Sequence, residues 1–231
     1  MRITSSAVLT IAAALSIGAC SAPTPIAERE LFDEANVEFE GSHFNTATRQ
    51  YEELLEQYPF SDLAEVARLR IAHAYYLNGD YDKAIAAFND FERLHPTSSL
   101  LPFVEYTIGM SYLDQARARD RDKSASENAL QQFERVRDRY PGSLYGRLSE
   151  FRMNQCWEKL AGHELYVGDY YARSGHEDAA RARYAYVLDR YPDSDAAISA
   201  RERLAAMPKS SESRPDDARA GARASTEEGS P

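Results

Sequence analysis

The sequence predicts an all-α fold, a superhelix of about four to five stacked helical hairpins, and three observations predict it. One six-position template recurs four times, as Ala47-Tyr51-Leu54-Tyr58-Pro59-Ser61, Ala84-Phe88-Phe91-His95-Pro96-Ser98, Ala129-Phe133-Val136-Tyr140-Pro141-Ser143 and Ala180-Tyr184-Val187-Tyr191-Pro192-Ser194. Within each copy, offsets of 4, 7 and 11 residues gather the side chains on one helical face. Each copy closes on proline, which cannot continue a helix and biases the residue before it away from helical angles. A lone hairpin cannot bury its apolar face, so the copies are expected to nest against one another.

Taken in order, Leu31–Glu40 is a first helix, ended by Gly41-Ser42-His43, and the segment through Tyr58 is its partner. Ser61–Asn78, the turn Gly79-Asp80 and the stretch to His95 form the second pair. Leu100–Arg117, the polar loop Ala118–Ser124 and the stretch to Tyr140 form the third. A long helix, Leu144–Arg173, is followed by Ser174-Gly175 and the stretch to Tyr191, and Ser194–Met207 supplies a last helix. The glycines suit the left-handed angles needed just past a helix end. Each template serine is placed to cap the next helix by accepting an orphan backbone amide. The copies start 37, 45 and 51 residues apart, Ala47 to Ala84 to Ala129 to Ala180, so the later hairpins carry inserted length.

The 231 residues hold 37 acidic against 27 basic side chains, a net charge of −10. A nucleic-acid partner is thereby disfavoured, because phosphates demand a basic footprint. Two cysteines cannot build a disulfide framework. Cys156 sits in an apolar helical pattern with Phe151, Met153, Trp157 and Leu160 and reads as a small core residue. The five histidines are scattered without zinc-site spacing, and no nucleophile elbow, P-loop or dinucleotide fingerprint occurs. No enzyme activity, cofactor or metal is expected. Asp120-Arg121-Asp122-Lys123 reads as a solvated turn.

The first twenty residues read as an address. A basic start, Met1-Arg2, precedes an apolar run from Ala7 to Ile17, the length of a signal-peptide core and too short to span a bilayer. The run ends in Ile17-Gly18-Ala19-Cys20, which resembles a bacterial lipobox. That resemblance implies cleavage before Cys20, with a diacylglycerol and an N-acyl chain on the new terminus. Such a double anchor holds a protein stably at a membrane. An ordinary signal peptide is the alternative. Ser21 after the cysteine implies sorting to the outer membrane. The expected organisation is therefore a signal peptide at 1–19, a lipidated tether at 20–29, a repeat array at 30–207 and a disordered polar tail at 208–231.

The second copy, Ala72…Tyr75…Gly79-Asp80-Tyr81…Ala84…Phe88…Pro96, matches the tetratricopeptide pattern, whose repeat is about 34 residues. In that fold the first helix of each pair lines the concave side. Carrying the register over, the inward positions are Phe32, Asn36 and Phe39, then Val66, Leu69, His73 and Tyr76, then Phe103, Tyr106 and Met110. Such a wall suits an extended or helical segment of another protein; packing between repeats is the other reading of these positions.

Local strings are more specific. Tyr58-Pro59-Phe60-Ser61, Ala72-His73-Ala74-Tyr75-Tyr76, Arg93-Leu94-His95-Pro96-Thr97, Asp120-Arg121-Asp122, the run Leu160-Ala161…Glu164…Tyr166-Val167…Tyr170-Tyr171…Gly175 and Tyr191-Pro192-Asp193 resemble the BamD family of outer-membrane lipoproteins. The resemblance covers about residues 17–206. It implies a scaffold of the β-barrel assembly machinery on the periplasmic side of a Gram-negative outer membrane. Its partners would be the BamA-type insertase, other lipoproteins of the complex and unfolded barrel proteins. It also implies that Tyr58, Phe60 and the inward residues read client segments, and that Arg183, eight residues after Gly175, contacts the insertase. A tetratricopeptide lipoprotein serving cell-wall synthesis or division is the alternative. The family's final repeat has two helices where only one is expected here.

Overall fold

A computed structural model describes residues 25–118 and 123–208. The expected signal peptide and expected lipidation site Cys20, Asp120-Arg121-Asp122 and the tail beyond 208 lie outside the described residues. Among these residues the chain is helical throughout and contains no strand. The helices are α1 (Pro25–Glu40), α2 (Phe44–Gln57), α3 (Ala64–Leu77), α4 (Tyr81–Leu94), α5 (Leu101–Ala118), α6 (Lys123–Arg139), α7 (Leu144–Arg173), α8 (Glu177–Arg190) and α9 (Asp195–Ala206). Each packs on the next in chain order. The substantial contacts that skip a neighbour are α5 with α7 and α7 with α9. Both join first helices of hairpins, which places that layer on the inner, shorter-radius side of the stack.

The template positions are the core. Ala47, Tyr51, Leu54, Ala84, Phe88, Phe91, Ala129, Phe133, Val136, Ala180, Tyr184 and Val187 are all buried. They seed successive clusters: Tyr51 with Phe32 and Ile71, Phe88 with Val104 and Ile108, Phe133 with Leu113 and Met153, and Tyr184 with Ala161 and Ala197. Every such cluster draws on two consecutive hairpins or on a hairpin and the helix after it, so no hairpin owns its core. Burying each large side chain contributes about 1.5–3 kcal/mol. Cys156 lies in the third of these clusters, as its spacing predicts.

The turn after each second helix repeats one backbone hydrogen bond. The amides of Ser61, Ser98, Ser143 and Ser194 donate to the carbonyls of Tyr58, His95, Tyr140 and Tyr191 at 3.0–3.1 Å. Tyr58, His95 and Tyr191 have left helical angles, with φ between −127° and −133°, as the following proline requires. The serines divide into two pairs. Ser143 and Ser194 cap α7 and α9, accepting from Gly146 and Ala197. Ser61 and Ser98 do not cap α3 and α5 as expected. Their hydroxyls take the amides of Leu63 and Leu100 in the turn, and donate to Glu28 of α1 and Glu65 of α3. That carboxylate from the preceding first helix draws the serine aside and ties one repeat to the next.

The boundaries depart from expectation at α1 and at the turn after it, whereas α7 keeps its expected Leu144–Arg173 range. Helix α1 begins at Pro25, inside the stretch expected as tether, because proline at the first helical position loses no hydrogen bond and has helical φ already set. At the turn after α1 the left-handed residue is Ser42 (φ +62°) and not Gly41, whereas Gly79 and Gly175 hold that position in their turns. Helix α7 runs for 30 residues, about 45 Å at 1.5 Å per residue. Its early part packs against α6, and its later part against α8 and α9.

The third hairpin contains a fully buried carboxylate. Glu105 of α5 accepts from Arg139 and from the Tyr140 hydroxyl, each at 2.6 Å, with Arg135 at 3.4 Å. Glu92 of α4 pairs with both arginines. Losing either the acid or its cations would strand a charge.

Candidate functional site: an aromatic wall and a charged C-terminal hairpin

The first helices bring rings together across the stack. Phe39 of α1 lies 5.7 Å from His73 of α3, His73 5.5 Å from Phe103 of α5, and Phe103 5.7 Å from Tyr145 of α7. Tyr76 stacks on His73 at 6.3 Å, and Tyr106 meets Tyr145 at 5.4 Å. Arg70 covers the Phe39 face at 4.7 Å. Residues from four hairpins thus form one row of rings, each within the range where edge and face contacts are favourable. Burial, then the neighbouring Arg70, holds His73 below the usual histidine range. The Tyr76 hydroxyl donates to Asp114 at 2.9 Å, and burial followed by that bond raises its pKa.

The inward positions expected from the register divide. His73, Tyr76, Phe103 and Tyr106 are half-buried members of the row, and Val66 is exposed beside it. Leu69 and Met110 are half-buried against the cores of the second and third hairpins. Phe39 is buried yet forms the first rung. Phe32 and Asn36 are corrections: Phe32 packs into the core at 5.8 Å from Tyr51, and Asn36 accepts from the Tyr51 hydroxyl at 2.6 Å. Helix α2 claims both, through the ring and the hydroxyl of Tyr51. Tyr58 is half-buried, and Phe60 stands 98% exposed in the turn before α3.

Tyr145, Leu148 and Phe151 on α7 were not among the expected positions. A signal for two of them was present. Val66, Leu69 and His73 stand 5, 8 and 12 residues after Ser61, and Phe103, Tyr106 and Met110 stand likewise after Ser98. The same count from Ser143 reaches Leu148, Phe151 and Gln155. Tyr145 breaks the count, being only two residues past its serine.

At the other end, Arg183 of α8 donates to the buried Glu164 of α7 at 2.7 Å, with Lys123 of α6 at 3.8 Å from the same carboxylate. Arg183 remains 44% exposed. Beside this triad a cavity of about 660 Å³ opens between α5, α6 and α7, lined in part by Lys123, Lys159, His163 and Tyr166. Among the described residues no three metal-ligating side chains come together, and no helix is long and apolar enough to cross a membrane.

A family described as outer membrane lipoprotein, YfiO, matches residues 25–225. The chain belongs to that family. Among curated relatives, the outer membrane protein assembly factor BamD of Neisseria meningitidis serogroup B is 30% identical, with 79% of this chain and 76% of that one covered. Its counterpart in Vibrio cholerae is also 30% identical, over 81% of this chain and 83% of that one. Among solved structures, a thermophilic tetratricopeptide protein from Thermus thermophilus covers 78% of this chain and 97% of its own at 18% identity and a TM-score of 0.42. The YfiO match takes in the aromatic wall and the Glu164–Arg183 pair alike.

Proposed function

We propose that this YfiO-family chain is a non-enzymatic scaffold of the outer-membrane β-barrel assembly machinery, held on the periplasmic side by lipid on Cys20. Its first three hairpins receive apolar, aromatic-rich segments of unfolded barrel proteins, along the wall of His73, Tyr76, Phe103 and Tyr106 and against Phe60. Its C-terminal hairpins hold the BamA-type insertase, with Arg183 offered to a carboxylate, and other lipoproteins of the complex dock on the same stack. No cofactor takes part. The observation that carries this reading is the family match across the whole repeat array, in company with relatives that carry the assembly-factor name along most of their length. The row of rings supports the client half, because aromatic faces accept varied apolar sequences without fixed hydrogen-bond geometry. Anchoring the scaffold raises the local concentration of weak contacts.

Pull-down of the full chain from detergent-solubilised envelopes tests the reading. Recovery of the insertase and barrel proteins is expected, and recovery of murein enzymes instead would overturn it. Two variants locate the halves. Phe60→Ser, at a side chain with almost no contacts, is expected to weaken binding of an aromatic-ended client peptide about tenfold with the fold intact, read by fluorescence anisotropy. Charge reversal at Arg183 would set two carboxylates together on Glu164, so the neutral Arg183→Gln is the cleaner probe of insertase recovery. Undiminished recovery would remove Arg183 from that interface and leave the scaffold reading standing.

A further inference from the structure

Helix α7 is the longest of the described helices, and its first two turns carry apolar side chains that the described residues leave partly open. Leu144 and Phe151 are 56% and 58% exposed, and Leu148 36%. Spaced i, i+4 and i+7, they share one face of the helix. Leu148 and Phe151 stand in the register of Val66 and Leu69 and of Phe103 and Tyr106; Leu148 is as exposed as Val66, and Phe151 is more exposed than Leu69 or Tyr106. The reason is the length of α7: the next first helix, α9, starts beside Glu158 and runs on to Asp169, so it lies past these two turns.

The strip has a charged border. Arg147, exposed, lies on one side and reaches only its own turn, donating to the Gly142 carbonyl at 3.2 Å. Arg152 lies on the other, with its guanidinium 5.6 Å from the Phe151 ring and its Nε donating to the Tyr106 hydroxyl at 3.0 Å. The nearest acid further along this face, Glu158, is already taken by the Asp195 amide at the start of α9. In a chain of net charge −10, this apolar strip is therefore edged by cations.

We infer that the Leu144–Leu148–Phe151 face of α7 docks an amphipathic helix of another protein, whose apolar residues cover the strip and whose flanking Asp or Glu side chains meet Arg147 and Arg152. Charge and composition select this occupant over the others. Residues 209–231 contain no aromatic or large aliphatic side chain, so the chain's own tail cannot cover the strip. A second copy seated face to face would bring the arginines of both strips together. A two-turn apolar stripe also matches the ridge of a facing helix better than an extended strand, whose side chains alternate every residue. The inference goes beyond the client wall, which Arg152 touches through Tyr106, because it uses the open face of the fourth hairpin and asks for acidic flanks.

Site-specific photocrosslinking tests it in the native envelope. The full chain carries p-benzoylphenylalanine in place of Leu148, and in a control in place of Glu150, which points off the strip. The expected result is one dominant protein adduct from position 148, mapping by mass spectrometry to a segment with large apolar residues at helical spacing and acidic neighbours. Phe151→Asp and Arg147→Glu, both at exposed positions, are each expected to lower its yield at least fivefold without changing the circular dichroism. Adducts no stronger than the control, adducts to lipid, to this chain or to a second copy, or yields unmoved by Arg147→Glu would overturn the inference.

Discussion

At the scale of single residues, backbone conformation separates positions that look alike in sequence. Ser42 holds the left-handed site that Gly79 and Gly175 hold in the other hairpins. For a residue with a Cβ that conformation costs about 1–2 kcal/mol, partly offset by the larger entropy that glycine loses on folding. Ser42→Gly is therefore expected to stabilise the chain by about 0.5–1 kcal/mol, seen as a higher urea midpoint with an unchanged slope. The sequence placed glycine at this turn correctly but one residue early, because a three-residue turn has two candidate positions and only the hydrogen bonds decide which one turns left. Ser42 donates its amide to Phe39 at 3.0 Å and His43 donates to Glu38 at 2.9 Å, and that pair sets the crossing.

At the scale of elements, glycine inside α7 does opposite things two turns apart. A Cβ at Gly168 would lie 2.6 Å from the Tyr184 ring of α8, whereas one at Gly162 meets nothing within 4 Å. Gly168 thus lets α7 and α8 approach closely enough for the tyrosine to be enclosed, and Gly109 does the same for Phe133 between α5 and α6. Gly168→Ala is expected to destabilise by about 1–3 kcal/mol through forced repacking. Gly162→Ala is expected to stabilise by up to about 1 kcal/mol through helix propensity alone. Thermal melts of the two variants should move in opposite directions. Neither outcome is legible from composition, since both glycines sit in the same helical pattern and only the neighbouring hairpin tells them apart.

For the whole molecule, the repeated tyrosines tie stability to alkaline pH. Tyr51, Tyr140, Tyr184 and Tyr191 are each pushed up to about 12, first by burial. Hydrogen bonds to Glu105 and Asp169 add to the shift of Tyr140 and Tyr184. An unfolded tyrosine ionises near 10. The folded chain therefore holds more protons than the unfolded one between these values, so stability is full below about pH 10 and falls as pH rises towards 12. These tyrosines lie in the first, third and fourth hairpins, whose cores are continuous, so the loss is expected as one cooperative transition. Urea titrations at pH 9, 10 and 11 should show midpoints falling together by fluorescence and circular dichroism. A flat midpoint across that range would contradict the buried hydroxyl environments described for Tyr51 and Tyr184.

The repeat, most helix ends and the template core were written in the sequence. Ala, an aromatic, an aliphatic and then Pro at fixed offsets impose a one-faced helix and its stop, and those offsets are local chemistry. Which apolar positions face a neighbour and which face solvent was decided only by tertiary structure. Phe32, expected on the wall, is buried against Tyr51, while Leu148 and Phe151, in the wall's register, stand open. The physical reason is that helical spacing specifies an apolar face but not what covers it. Covering depends on what packs alongside: the Tyr51 ring of α2 takes Phe32, whereas α9 starts beside Glu158 and so lies past Leu148 and Phe151.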